Sequence, residues 1–287
     1  MTTAPVAESK MAPRSPECTT TGYLRCFNIW EDLFRRGLFG PDKMISIFGL
    51  GLMQIDGIDH CPQLPEAIHF FQHCSIACID SNVDVLMALK SMKHEQATVL
   101  IQKTFASNPK PPQAAEQMEK VLKYLVREGK RSNKVQYRHF RMGEDDPNTL
   151  PESDVMIATF SLMYPLKELW ENKPETRLDF FIQYILRLKK GGILYVDTEC
   201  VEYLLLKPAE ALSESARLAA FSKENIQLCI NEIFQRSKIR LEMSFLSQNL
   251  CYDSKTRLGV IQPVPCNSGE MPRDVQTKGV FTFERLK

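Results

Sequence analysis

The chain has 287 residues, 44% of them apolar, which is enough for a large α/β unit with a real core; its net charge of +1 gives it no overall polyanion-binding character. No apolar run approaches the ~20 residues of a membrane span, and the N-terminus has no apolar core of a signal peptide. Nine scattered cysteines, odd in number and without a Cys-x-x-Cys pair, read as reduced thiols of a cytoplasmic protein.

Residues 1–20 are rich in Ser, Thr, Pro and Ala and read as a disordered tail. From residue 21 to residue 287 a single domain is expected. Tyr23, Leu24, Phe27, Trp30, Phe34 and Leu38 recur at helical spacing, and Gly37 and Gly40 close the segment. This helix either packs on a sheet or forms a lid over a ligand. Met44 to Phe48 follows as an apolar strand ending in Gly49-Leu50-Gly51. Met53 to Pro62 reads as a loop and Leu64 to His73 as a helix. His69 and His73 stand at i and i+4, but no Glu follows His69 and no third ligand is evident, so no metal site is expected.

Ile76-Ala77-Cys78-Ile79 is a second strand, ending on Asp80. A helical pattern with Val83, Leu86, Met87 and Lys90 starts straight after it. Strand, glycine turn, helix, strand, acid and helix in that order describe a nucleoside pocket. Glycines let a ligand lie against bare backbone, and a carboxylate at the second strand tip accepts hydrogen bonds from ribose hydroxyls. Residues 97–105 read as a helix, Asn108-Pro109-Lys110-Pro111-Pro112 as a break, and Met118, Val121, Leu122 and Leu125 as the stripe of another helix. A helical, basic insertion is thus expected around 94–133. The span 85–141 carries twelve Lys/Arg against four Asp/Glu, about +8, so the remainder is about −7. It is either a solvated face or a docking surface for an acidic partner.

Val135 to Met142 alternates as a third strand and leads into Gly143-Glu144-Asp145-Asp146. Asp154 to Phe160 is a fourth, with Ser161-Leu162-Met163-Tyr164-Pro165 at its tip. Leu178, Phe181, Ile182, Ile185, Leu186 and Leu188 make an amphipathic helix, with Lys189-Lys190 against its dipole and Gly191-Gly192 as its stop. A fifth strand, Ile193 to Val196, ends in Asp197-Thr198-Glu199. Ile226 to Phe234 is helical, and Ile239 to Phe245, Leu258 to Ile261 and Val280 to Arg285 read as strands. These steps predict an α/β fold: a doubly wound, mostly parallel sheet with an antiparallel C-terminal strand pair.

The ordered set of Gly49-Leu50-Gly51, Asp80, the strand from Leu150-Pro151 to Phe160, and Leu188-Lys189-Lys190-Gly191-Gly192-Ile193-Leu194 resembles the Rossmann-like S-adenosylmethionine-dependent methyltransferases over roughly residues 44 to 287. The resemblance implies S-adenosyl-L-methionine as cofactor. It implies that Gly49 and Gly51 lie under the cofactor, that Asp80, with Ser81 beside it, holds the ribose, and that Glu144 or Asp145 reads the adenine. Phe160 and Ser161 fall beside the reactive methyl. Tyr164, Asp197 and Glu199, near the strand tips, are the candidate bases for an acceptor that must lose a proton. The acceptor is a small molecule or a protein. The adenine-methylating motif Asn-Pro-Pro-Tyr is absent, and no nucleic-acid signal stands out.

One position departs from the family. The acid that usually stands two residues before the first glycine, and helps to hold the methionine end, is Ile47 here. That departure leaves open a protein that keeps the fold and binds without catalysing. The pattern also admits a transferase using another carbon chain of the same cofactor, and a nicotinamide-dependent oxidoreductase. The oxidoreductase wants a third glycine where Gln54 stands.

Overall fold

The computed structural model describes residues 29, 32–33, 36–38, 42–49, 53–55, 58–60, 74–83, 86–87, 90, 134–159, 161–206, 220–246, 264–265 and 280–286. Its strands are β1 (Met44–Phe48), β2 (Met53–Ile55), β3 (Ile58–His60), β4 (Ser75–Asp80), β5 (Lys134–His139), β6 (Ser153–Ile157), β7 (Leu188–Asp197), β8 (Leu241–Leu246), β9 (Val264–Pro265) and β10 (Val280–Arg285). Four helices are described in full: α1 (Met163–Asn172), α2 (Arg177–Leu186), α3 (Thr198–Leu205) and α4 (Lys223–Ser237).

Eight strands form one sheet in the order β5-β4-β1-β6-β7-β10-β8-β9. The pairs β5–β4, β4–β1, β1–β6 and β6–β7 are parallel. β10 lies between β7 and β8 and runs antiparallel to both. This is the mostly parallel sheet with an antiparallel C-terminal pair that the sequence predicts. β1 and β4 are strongly hydrophobic because both of their faces are covered, the usual condition of a parallel sheet.

Two cores result, one on each face. Phe48, Ala77, Ile79, Met156, Leu194 and Val196 point to the face packed by the four helices. Ile45, Ile47, Ile76, Cys78, Val155, Ile157 and Tyr195 point to the other, where Ile29, Leu33 and Leu86 cover them. Helical residues 29, 32, 33 and 36 therefore sit on the sheet rather than over a ligand. A polar clasp fixes them. The Tyr195 hydroxyl donates to Asp32 Oδ2 at 2.7 Å, Arg36 Nε donates to the same oxygen at 2.8 Å, and Arg36 Nη1 reaches Glu284 Oε2 at 2.6 Å. Burial, reinforced by the Asp32 charge, pushes the Tyr195 phenol well above its ordinary value and keeps it a donor.

Two elements differ from the sequence reading. Met53 to Pro62, expected as a loop, contains the antiparallel pair β2–β3, in register from Met53↔His60 to Ile55↔Ile58. The Asp56-Gly57 pair between two short alternating runs is the hairpin signal that the loop reading passes over. The second difference concerns Lys189-Lys190-Gly191-Gly192. α2 ends at Leu186, and these four residues belong to β7 as an irregularity opposite Asp154, since Leu188 pairs with Ser153 and Ile193 with Val155. Gly191 has φ +77°, and a Cβ on Gly192 would meet the carbonyl oxygens of Lys189 and Asp154 at 2.9 and 3.0 Å. The glycines let the chain fold back against β6; they do not stop the helix. Lys189 leaves the helix dipole and donates to Asp154 Oδ2 at 2.8 Å. The stretches 1–20, 64–73, 94–133 and 258–261, with the tail, insertion, helices and strand read there, lie outside the described residues.

Candidate functional site

Because β5, β4, β1, β6 and β7 are parallel, their C-terminal ends share one edge of the sheet. Gly49 follows β1, Asp80 ends β4, residues 143–145 follow β5, Ser161 follows β6, and Asp197 ends β7. Parallel topology thus gathers candidates that are far apart in sequence, on the edge where open α/β sheets bind ligands.

Gly49 and Ser161 touch. Gly49 has φ +62°, a left-handed backbone that a side chain would strain. A Cβ built on it would lie 2.7 Å from Ser161 Cβ. Its amide donates to Ile79 O at 3.0 Å, tying the β1 tip to β4. Position 49 is therefore glycine for two reasons: the turn needs a positive φ, and Ser161 packs on its bare face. The Ser161 amide donates to Ala158 O at 3.4 Å, while its Oγ is buried with no hydrogen-bond partner among the described residues. A buried hydroxyl left in that state costs about 1–3 kcal/mol.

Asp80 is buried, and its Oδ1 accepts the Asn82 amide at 2.8 Å, the bond of a cap on the helical residues that follow. Its carbonyl accepts the Phe140 amide at 3.0 Å, and the carbonyl of Ser81, itself exposed, lies 3.0 Å from His139 Nε2. The acidic turn after β5 is exposed and held by Arg141. Asp145 Oδ2 accepts the Arg141 amide at 2.6 Å, and Glu144 Oε2 lies 3.2 Å from Arg141 Nη1. Gly143 in that turn faces Pro165 of α1, where an added Cβ would meet Pro165 Cβ at 3.5 Å. Tyr184 of α2 lies beneath it, edge-on to Phe48. Burial raises the Tyr184 phenol, the Gly143 backbone opposes the rise, and the Asp145 charge adds to it.

Tyr164, the second residue of α1, is 48% exposed at this edge. Asp197 is buried, and its Oδ1 caps α3 by accepting the Cys200 amide at 2.9 Å. Glu199 is half-buried in the first turn of α3. Gly51 and Phe160 lie outside the described residues. Ile47 is fully buried among Ile29, Leu33 and other apolar side chains, so the position of the family's acid belongs to the helix-covered core.

Sequence reasoning misses Arg141 and Tyr184. Arg141 stands three and four residues before the two acids, a spacing that signals contact only once the turn is known. Tyr184 reads as one more apolar residue of an amphipathic helix. Within the basic 85–141 span, Arg138 donates to Gln136 and to Thr149 O, and Arg141 is engaged as above; most of the span lies outside the described residues. No group of His, Cys, Asp and Glu able to hold a metal occurs among the described residues, and none of their helices is long and apolar enough to cross a membrane.

No family model matches this chain, and no curated protein does. Among solved structures it is similar to the plantazolicin methyltransferase BpumL in complex with a desmethyl analog and SAH. Identity there is 9% over 96% of this chain and 87% of that one, with a TM-score of 0.41. It is also similar to magnesium protoporphyrin IX methyltransferase (ChlM) from Synechocystis PCC 6803 with bound SAM, at 9% identity over 93% and 80% and a TM-score of 0.38. A third is the N-methyltransferase NodS from Bradyrhizobium japonicum WM9, at 12% identity over 91% and 96% and a TM-score of 0.35. These likenesses are distant, and the fold rests on this chain's own strand order and register.

Proposed function

We propose that the chain is an S-adenosylmethionine-dependent methyltransferase whose cofactor lies across the C-terminal tips of β1, β4, β5 and β6. The observation that carries this reading is the convergence of Gly49, Asp80, Glu144 and Ser161 on that one edge of a sheet closed by the reversed β10. Three features support the fit of this cofactor. A carboxylate stands at the β4 tip, acids stand in the β5 turn, and a polar group without a protein partner among the described residues, Ser161 Oγ, is buried at the β6 tip.

In this reading the backbone at Gly49 and Gly51 lies under the cofactor at the β1 tip, with Ser161 seated on the bare face of Gly49. Asp80 and Ser81 hold the ribose, Glu144 reads the adenine, and Phe160 and Ser161 border the transferred group. The cofactor supplies an activated methyl, so the protein's task is to align the acceptor and exclude water. A base is needed only for a hydroxyl or a protonated amine. Tyr164 and Glu199 are the better candidates for it, because Asp197 already serves α3 as its cap. The acceptor is a small molecule or a protein, and the basic 85–141 span favours docking of an acidic partner. Buried thiols at Cys74, Cys78 and Cys200 support a reducing, cytoplasmic setting.

A second reading has its own observation. Ile47, fully buried in the apolar core, cannot grip the cofactor's amino group, which favours a methyltransferase-like protein that binds without catalysing. Thermal shift with S-adenosylmethionine, its demethylated product and NAD side by side tests the proposal. Stabilisation by the first two and none by NAD is expected. A shift with NAD alone, or with none of them, rejects it. Stabilisation by the demethylated product without methylation of any acceptor moves the balance to the second reading.

A further inference from the structure

We propose that the corner of the sheet where β7 and β8 begin and β10 ends docks an acidic, leucine-bearing segment of a partner protein. This corner lies at the opposite end of the strands from the candidate site, so the inference goes beyond the methyltransferase reading and does not rest on it.

Antiparallel pairing builds the corner. β8 starts where β10 stops: Arg285 pairs with Leu241, and the Leu286 amide donates to Arg240 O at 2.9 Å. β10 also stops where β7 starts. Arg285 Nη1 donates to the carbonyl of Leu188 and, at 3.4 Å, to that of Leu186, the last residue of α2. A cation on the final carbonyls of a helix suits its dipole. Three segments distant in sequence thus meet at one guanidinium.

Two properties of this corner point to a partner. The first is apolar. Leu186 and Leu286 flank Arg285 and are 46% and 38% exposed. The second is charge. Lys190, Lys238 and Arg240 are all exposed there, and the side chains of Lys190 and Arg240 make no hydrogen bond or ion pair among the described residues. One step along the strands, Glu242 and Glu284 are register partners, and Glu284 already holds Arg36. The whole chain carries only +1, so the corner is a local excess and not a share of a general basicity. An apolar centre with a charged rim is the anatomy of a protein interface, and the sign of the rim selects an acidic occupant. Both leucines are more than half covered, and no exposed aromatic stands with them among the described residues. The corner therefore suits a segment that lays a leucine on it better than a bilayer, which calls for side chains that insert.

The test is fluorescence anisotropy of the full chain with two labelled glutamate peptides, one carrying two leucines at i and i+4 and one carrying none. The variants are Lys190→Glu with Arg240→Glu, Leu186→Ala with Leu286→Ala, and, as a control, Lys173→Glu, an exposed cation at the end of α1. Wild type should prefer the leucine-bearing peptide, bind it more tightly at low salt, and bind it equally with saturating S-adenosylhomocysteine. The charge-reversed pair should lose roughly tenfold and most of the salt dependence, with an unchanged melting temperature. The leucine pair should also lose roughly tenfold but keep the salt dependence. An equal loss in Lys173→Glu, equal binding of the leucine-free peptide, no binding by wild type, or competition by S-adenosylhomocysteine overturns the proposal. Preferential binding to phosphatidylserine vesicles, or a concentration-dependent dimer abolished in the charge-reversed pair, also overturns it, assigning the corner to a lipid surface or a second copy. None of these results bears on the methyltransferase reading, which the thermal shift tests separately.

Discussion

Gly49→Ala probes the hinge of the site most directly. At φ +62° an alanine pays the left-handed penalty of about 1–2 kcal/mol. Its Cβ would also fall 2.7 Å from Ser161 Cβ, far inside the contact distance of two carbons. Overpacking of that kind costs about 1–3 kcal/mol. Together the variant should lose about 2–5 kcal/mol, a large share of the roughly 5–15 kcal/mol available to a typical domain. Urea unfolding of Gly49→Ala, Ser161→Gly and the double variant separates the two parts. Ser161→Gly removes the colliding atom, so the double variant should keep only the backbone penalty. The coupling between the two positions should then be about 1–3 kcal/mol. Strict additivity would mean that Ser161 does not rest on Gly49. An unaffected single variant would mean that the turn is not left-handed.

Other consequences lie away from the site. Burial raises the Asp154 carboxyl, but the Lys189 hydrogen bond, the Met44 amide at 2.8 Å and the charges of Lys189 and Lys43 outweigh burial and hold it below its ordinary value. Its stabilisation is therefore complete above that ordinary value of 3.8 and is lost as pH falls through the lower folded value. Asp154→Asn should cost about 1–3 kcal/mol at neutral pH, with the gap to wild type narrowing as unfolding is followed to pH values below 3.8. A gap independent of pH would contradict the ion cluster. Tyr195→Phe removes the buried donor to Asp32, and chemical denaturation should register a loss of about 1.5–3 kcal/mol with cofactor affinity unchanged. A change in affinity would return the Asp32 segment to the role of a lid.

The sheet is legible in the sequence because its strands are written as continuous apolar runs. Ile45, Ile47, Ile76, Cys78, Val155 and Ile157 fill one face, and Phe48, Ala77, Ile79 and Met156 the other. Their end signals, Gly49, Asp80 and Asp197, are legible for the same reason: each interrupts an apolar run where the chain must turn. What the sequence hides is partnership. Nothing in it shows that Ser161 fits the bare face of Gly49, or that Lys189 answers Asp154 across a strand irregularity rather than a helix dipole. The Lys-Lys-Gly-Gly run satisfies helix-ending chemistry and bulge chemistry equally well, and only pairing with β6 decides between them. Asp197 shows the same ambiguity, since a carboxylate at a strand tip suits a base and a helix cap alike.

The central claim is that the β4 tip holds a ribose, and Asp80 tests it. The measurement is the calorimetric affinity for S-adenosylhomocysteine, taken with the melting temperature, for wild type, Asp80→Ala and Asp80→Asn. A carboxylate bonding both ribose hydroxyls contributes about 1.5–3 kcal/mol per bond, so Asp80→Ala should weaken binding by ~10-fold or more, and Asp80→Asn by less. Loss of the Asn82 amide bond should lower stability by ~1 kcal/mol as well, a fall of about 2–4 °C. A lowered melting temperature with unchanged affinity would contradict the account, leaving Asp80 a helix cap and placing the pocket elsewhere.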